Sequence, residues 1–144
     1  MRPPSDELIA ALSAARQEGL FSPLIGGEGL AHLGILELTG RDAVSFLQSQ
    51  TTNDINALKI GDGQLSTRVT RTGHLCHVFS VHRIHDVEDN PSFWLLAERA
   101  EIPDLYAAFD QFLFADQVNM VDRSDLFQWY AVQGRQAAEC CEAF

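Results

Sequence analysis

Lysine is nearly absent. Lys59 is the only one in 144 residues, and ten basic residues face twenty acids, for a formal net charge of −10. A chain this acidic is repelled by phosphate backbones and anionic headgroups, which excludes general nucleic-acid binding and docking to an anionic membrane. Long apolar runs are also missing: no stretch of about 18 apolar residues exists to span a bilayer. The opening Met1-Arg2-Pro3-Pro4-Ser5-Asp6-Glu7 lacks the apolar core and cleavage site of a secretory signal. Three cysteines, Cys76, Cys140 and Cys141, are too few for a disulfide framework, and two of them are adjacent. These absences together read as a cytoplasmic protein. No Gly-x-Gly-x-x-Gly unit follows a strand and no phosphate-binding loop occurs.

What is present suits one packed domain. Apolar residues make up 46% of the chain, enough for a core and against disorder. Ser5 can cap a helix over about 6–18, where Leu8, Ile9, Leu12 and Ala15 recur at helical spacing. Pro23 and Gly26-Gly27-Glu28-Gly29 then break the chain. A strand is expected over His32–Leu38, ended by Gly40, and a short helix over Asp42–Gln50. Asp42 serves as cap or first-turn acid. Residues Asn53–Gly63 read as a loop. Two long strands, Gln64–Arg71 and His74–His85, flank a hairpin turn at Arg71-Thr72-Gly73. Apolar residues fall on both faces of the second, which marks it as central. Ser92–Ala97 is a short buried strand. Ile102, Leu105, Tyr106, Phe109, Phe112 and Leu113 form a helical stripe over Glu101–Phe114. Gln117–Asp122 and Phe127–Gln133 read as strands, and Gly134 opens a helix that runs to Phe144 without a stop signal, as a cut chain would.

Few residues announce chemistry. Of the five histidines, His74, His77, His82 and His85 lie on one strand or its ends; same-face positions there are too far apart for three to meet one metal, so no metal site is assigned. Surface or cross-strand pairing is the expectation for them. Cys140 and Cys141 would point about 100° apart on a helix and read as small buried residues. Arg68, Arg71 and Arg83 can grip a carboxylate bidentately, or pair with this chain's many acids.

The run Leu38-Thr39-Gly40-Arg41-Asp42-Ala43, continued by Phe46-Leu47-Gln48-Ser49-Gln50-Thr51-Thr52-Asn53-Asp54-Ile55, is more specific. With the hairpin Thr67–Ile84 turning at Gly73, and Phe112–Gly134 after it, it resembles the folate-binding domain shared by glycine-cleavage aminomethyltransferases and YgfZ-type folate-binding proteins. Ser49 stands where that signature usually has glycine. The resemblance implies an α+β fold: an antiparallel sheet with packed helices, the first half of a duplicated domain around a folate cavity. Residues 1–30 would be an N-terminal helix and Gly-rich joint, and 31–144 a partial folate-binding domain, truncated at its C-terminus. The implied cofactor is tetrahydrofolate or a one-carbon derivative. Thr52, Asn53 and Asp54 would bond the pterin edge, with Arg68, His77 and Arg83 completing the site.

Aminomethyltransferases carry an acidic pair on the second hairpin strand. The matching Leu75-Cys76-His77-Val78-Phe79 has no acid, and a histidine cannot replace a carboxylate that stabilises developing positive charge. The resemblance therefore favours the YgfZ branch, with iron–sulfur enzymes as clients, no catalytic residue and no enzyme activity for this segment. A tetrahydrofolate-dependent aminomethyltransferase is the alternative. A fragment that binds nothing alone is another, and self-association through an open half-domain face would follow from truncation. No cysteine here stands in the cysteine motif of that branch.

Overall fold

The computed structural model describes residues 20–23, 33–88, 90–127 and 129–133. The expected helices over 6–18 and 134–143, the glycine run at 26–29 and the Cys140-Cys141 pair lie outside them. The chain divides into two compact units: His32–Phe127, and the flanking segments. In the flanking unit β1 (Leu20–Pro23) pairs antiparallel with β7 (Tyr130–Gln133), Leu20 opposite Gln133. The expected strand over Phe127–Gln133 is thus shorter at its start.

The larger unit holds β2 (Leu33–Thr39), α1 (Ala43–Gln50), β3 (Gly63–Val69), β4 (Leu75–Arg83), β5 (Ser92–Glu98), α2 (Ile102–Asp110) and β6 (Asn119–Asp122). Its strands form one antiparallel sheet in the order β3-β4-β5-β2-β6. The fold is α+β. β4 lies inside the sheet, as its apolar content implies, but its burial is one-sided. His77, Phe79 and Val81 are buried, while Val78 is exposed.

The register explains the core. Leu36 faces Leu95, Leu38 faces Phe93, and Val81 faces Leu95 across the neighbouring pair. Alternation puts these side chains on one face. Ala43, Phe46 and Leu47 of α1 and Ile102, Leu105 and Phe109 of α2 pack with them in one buried cluster. Each large side chain fully buried here contributes about 1.5–3 kcal/mol. On the opposite face the Trp94 indole stacks edge-on against Phe127 at 4.8 Å and donates to Glu37, which also accepts from Arg123. Leu65 and Val78 stand open to solvent.

Three local expectations need correcting. Asp42 does not cap α1 with its side chain; its carboxylate turns away and accepts the Gln117 backbone N–H at 2.8 Å. That bond ties the start of α1 to the segment entering β6. The strand expected from Gln117 begins only at Asn119 for the same reason: Gln117 is spent on Asp42 and its carbonyl on the Asp42 N–H. Finally, α2 ends at Asp110 rather than Phe114. The N–H groups of Phe112 and Leu113 bond back to Phe109 and Asp110, a tightened last turn that redirects the chain. Phe112 and Phe114 are exposed in consequence.

The buried Ser124 closes the far end. Its hydroxyl accepts the Ile35 N–H at 3.0 Å and donates to Asp122, while the Arg123 N–H bonds the Ile35 carbonyl. Ser124→Ala strands a buried N–H, at a cost of about 1–3 kcal/mol. Urea unfolding of that variant should show a lower midpoint at unchanged slope; an unmoved midpoint would mean the Ile35 N–H finds another acceptor.

Candidate functional site

The loop after α1 does not hang free. Thr51 ends the helix, its N–H and hydroxyl both donating to the Leu47 carbonyl. The chain then runs along the open edge of β3. The Thr52 N–H donates to the Thr67 carbonyl at 3.1 Å and the two threonine hydroxyls meet at 2.9 Å. The Asn53 amide donates to the Leu65 carbonyl, and the Asp54 carbonyl accepts from Gln64. Asp54 uses one carboxylate oxygen on the Asn56 N–H. The polar Thr-Asn-Asp segment therefore satisfies the strand edge, which would otherwise offer unpaired backbone groups to another chain.

At the other end of β3 the hairpin is built on threonine. The Thr70 N–H bonds the His74 carbonyl, and the Gly73 N–H bonds the Thr70 carbonyl. The hydroxyls of Thr70 and Thr72 meet at 2.9 Å, and Thr72 reaches His74 Nδ1. Gly73 sits at φ +82°, a value only glycine adopts freely. The pairing slips between Arg68 and Val69, so that Cys76 has no direct opposite. Such bulges re-aim side chains.

Between the end of α1, the hairpin and the last turn of α2 lies a cleft of about 450 Å³. Arg68, Arg71, Cys76, Thr52, Gln111 and Phe112 are on its walls, and no acidic residue lines it. The Arg68 guanidinium lies 5.0 Å from the Phe112 ring and 5.8 Å from that of Phe109. Its Nε is buried and without a partner. Arg41, Arg83, Arg99 and Arg123 each have a carboxylate within salt-bridge distance. Among the described residues, Arg68 and Arg71 are the arginines that lack one. In a chain with twice as many acids as bases, these two arginines leave positive charge at the cleft without a carboxylate partner. A second hollow of about 350 Å³ beside Gly40 is lined by Glu88, Asn90 and Asn119 and carries no cation.

The residues singled out from sequence thus separate. Thr52 and Arg68 share the cleft; Asn53 and Asp54 are on the β3 edge. His77, expected at the surface or in a cross-strand pair, is buried at 9% exposure, with Nε2 2.8 Å from Asp104 of α2. The partner comes from a helix, because the core face of β4 points at α2. His77 Nδ1 is buried without a partner. Arg83 is held elsewhere: it donates to the Leu58 carbonyl at 3.1 Å, approaches Asp86 and lies over Phe93. Phe112 and Gln111 escaped sequence reading as wall residues, since Phe112 fits the spacing of a buried stripe. Among the described residues no three His, Cys, Asp or Glu side chains come together as a metal requires. Among the described residues no helix is long and apolar enough to cross a membrane.

Comparison with known proteins gives a consistent family. The model of the GCVT N-terminal domain matches residues 28–144. An aminomethyltransferase of Exiguobacterium sibiricum is 30% identical over 115 residues, 80% of this chain and 31% of the relative. One from Chloroherpeton thalassium is 29% identical over 133 residues, 92% of this chain and 34% of the relative. The chain therefore spans about a third of the length of these relatives. The crystal structure of glycine cleavage system aminomethyltransferase T from Bartonella henselae superposes with a TM-score of 0.68 at 18% identity, covering 94% of this chain and 34% of that one, which shows the shared fold. With its family model matched from residue 28 to 144, the chain belongs to the GCVT N-terminal domain family.

Proposed function

We propose that this chain is the N-terminal part of a tetrahydrofolate-binding protein built on the aminomethyltransferase plan. Residues 31–144 would form its folate-binding part and residues 1–30 an N-terminal extension. The observation that carries the reading is the cleft. It joins an aromatic wall at Phe112 to two arginines free of acidic partners, and folates join a flat heteroaromatic head to an anionic tail. The orphaned Arg68 Nε and the absence of lining acids fit such a ligand. In this reading Arg68 and Arg71 face the ligand, and Thr52 contributes wall. Asn53 and Asp54 fix the loop, while His77 and Arg83 hold β4 to α2 and to the 58–62 loop. Tetrahydrofolate, when bound, supplies nitrogens that accept a one-carbon unit.

The relatives named aminomethyltransferase support one-carbon transfer as the activity of the whole protein. One observation favours a second reading. β4 offers Cys76 and His77 where that chemistry uses acids, and His77 is occupied by Asp104. A folate binder of the YgfZ type, serving iron–sulfur enzymes, needs no such acid.

Calorimetric titration of the chain with tetrahydrofolate and its 5-formyl form tests the binding. Saturable micromolar affinity, about −8 kcal/mol, is expected; no heat with either form would overturn folate binding by this segment. Methylene transfer to tetrahydrofolate, assayed on the protein that contains this segment at full length, then decides between the two readings. Turnover supports the aminomethyltransferase, and binding without turnover supports the YgfZ type.

A further inference from the structure

The exposed Leu65 and Val78 have nothing to mark what covers them, and Cys76 alone makes no site. Beneath the cleft the pattern is more specific. Arg68 of β3 and His77 of β4 stand directly opposite each other in register. Residues so paired have Cβ atoms about 5 Å apart on one face. Both side chains reach towards α2, Arg68 over Phe109 and His77 to Asp104. Each has a buried nitrogen without a partner, Arg68 Nε and His77 Nδ1. We infer that His77 is a positioning residue: held by Asp104, it accepts from Arg68 Nε–H and aims that guanidinium into the cleft. The inference rests on the folate reading only for the ligand that Arg68 then meets.

The chemistry of the three groups fits. The Asp104 carboxylate only accepts, so His77 Nε2, 2.8 Å away, carries the proton. In the neutral imidazole that choice leaves Nδ1 as an acceptor. Arg68 Nε–H is a donor and nothing else. A buried donor and a buried acceptor, each costly if left unmade, thus share one cross-strand pair, where a direct bond or one bridging water joins them. The aromatic rings do not make this contact redundant. Phe109 and Phe112 fix where the guanidinium lies, 5.8 and 5.0 Å from their centroids, but not its rotation about Nε. A bond at Nε–H fixes that rotation and leaves the two terminal nitrogens as a fork for an anion on the cleft wall. A fork set in advance loses less freedom when the ligand arrives.

Titration of His77 variants of the 144-residue chain with tetrahydrofolate tests this. An asparagine carboxamide reaches the place of Nδ1, and a glutamine carboxamide that of Nε2. His77→Asn therefore keeps an acceptor for Arg68 and drops Asp104, whereas His77→Gln keeps Asp104 and drops the acceptor. Positioning predicts binding within about threefold of wild type for His77→Asn and about tenfold weaker for His77→Gln, the size of a lost bond to a charged group. A tie that only holds β4 to α2 predicts the reverse order. In an Arg68→Gln background His77→Gln should add nothing, because it acts through Arg68. Ser66→Ala removes the next hydroxyl on this face and should leave affinity unchanged. Without ligand, NMR should show His77 Nδ1 unprotonated and Arg68 Nε–H slow to exchange, becoming fast in His77→Gln. Equal affinities for the two His77 variants, the reverse order, an additive loss in the double variant, or a protonated Nδ1 overturns the inference. If wild type does not bind tetrahydrofolate, the folate reading falls, and the NMR of the unliganded chain still decides whether His77 positions Arg68.

Discussion

Gly40→Ala is expected to destabilise the five-stranded unit by about 3 kcal/mol or more. Gly40 ends β2 at φ +135°, a region that costs a non-glycine residue about 1–3 kcal/mol by itself. The added Cβ would also land on the Gln117 carbonyl oxygen, with Val118 Cα 3.0 Å away. These are backbone atoms and cannot swing aside like a side-chain tip. The Gly40 N–H bonds the Pro91 carbonyl, and the Asp42 carboxylate holds Gln117. A shift large enough to admit the methyl would loosen the junction of β2, the β5 entry and β6 together. Urea denaturation should show the loss as a lower midpoint. A midpoint change worth less than about 1 kcal/mol would mean that the Gln117 segment yields easily, and that the tie through Asp42 is weak.

Phe109→Ala should cost a similar amount, about 3–5 kcal/mol, with a second effect on the cleft. Phe109 is fully buried. Its ring packs edgewise on Phe79 at 6.1 Å and tilts against Phe46 at 5.8 Å, so it joins α1, α2 and β4. It also underlies the Arg68 guanidinium. Truncation would open a cavity at the centre of the core and remove half of the aromatic floor beneath that charge. Phe109→Leu keeps much of the volume and should lose far less stability, yet still weaken binding of an anionic ligand. Equal stability losses in both variants would show that ring geometry, rather than filled volume, holds this junction.

The strands of the larger unit were legible because their signals are local. Leu33–Thr39 and Ser92–Glu98 are apolar runs of strand length, and the Arg71-Thr72-Gly73 turn marks its own hairpin. What failed were properties set across the fold. The α2 stripe continues through Phe112 by spacing, and no glycine or proline announces the stop at Asp110; the chain turns because it must reach Gln117. The site was half legible. Arg68 was readable as a possible anion ligand, but sequence could not say that Arg83 would find Asp86 and Leu58 while Arg68 found no acid. Thr52, Asn53 and Asp54 have the chemistry of ligand contacts, and their use on the β3 edge depends on a strand that begins nine residues later. His77 and Asp104 are 27 residues apart, and only the packing of α2 on β4 introduces them.

The place of β2 between β5 and β6 has a consequence for biosynthesis. β2 is made before all its partners, yet β5 and β6 are the strands it pairs with, and the serine that receives its Ile35 N–H follows 89 residues later. At about 5–20 residues per second, translation leaves this strand unmated for several seconds. The β3–β4 hairpin, closed by its short turn, can form meanwhile, but it cannot shelter Leu36 and Leu38 until β5 bridges the gap. The nascent chain therefore emerges with Leu36 and Leu38 uncovered until β5 arrives, and β6, at the sheet edge, is the last strand β2 can pair with.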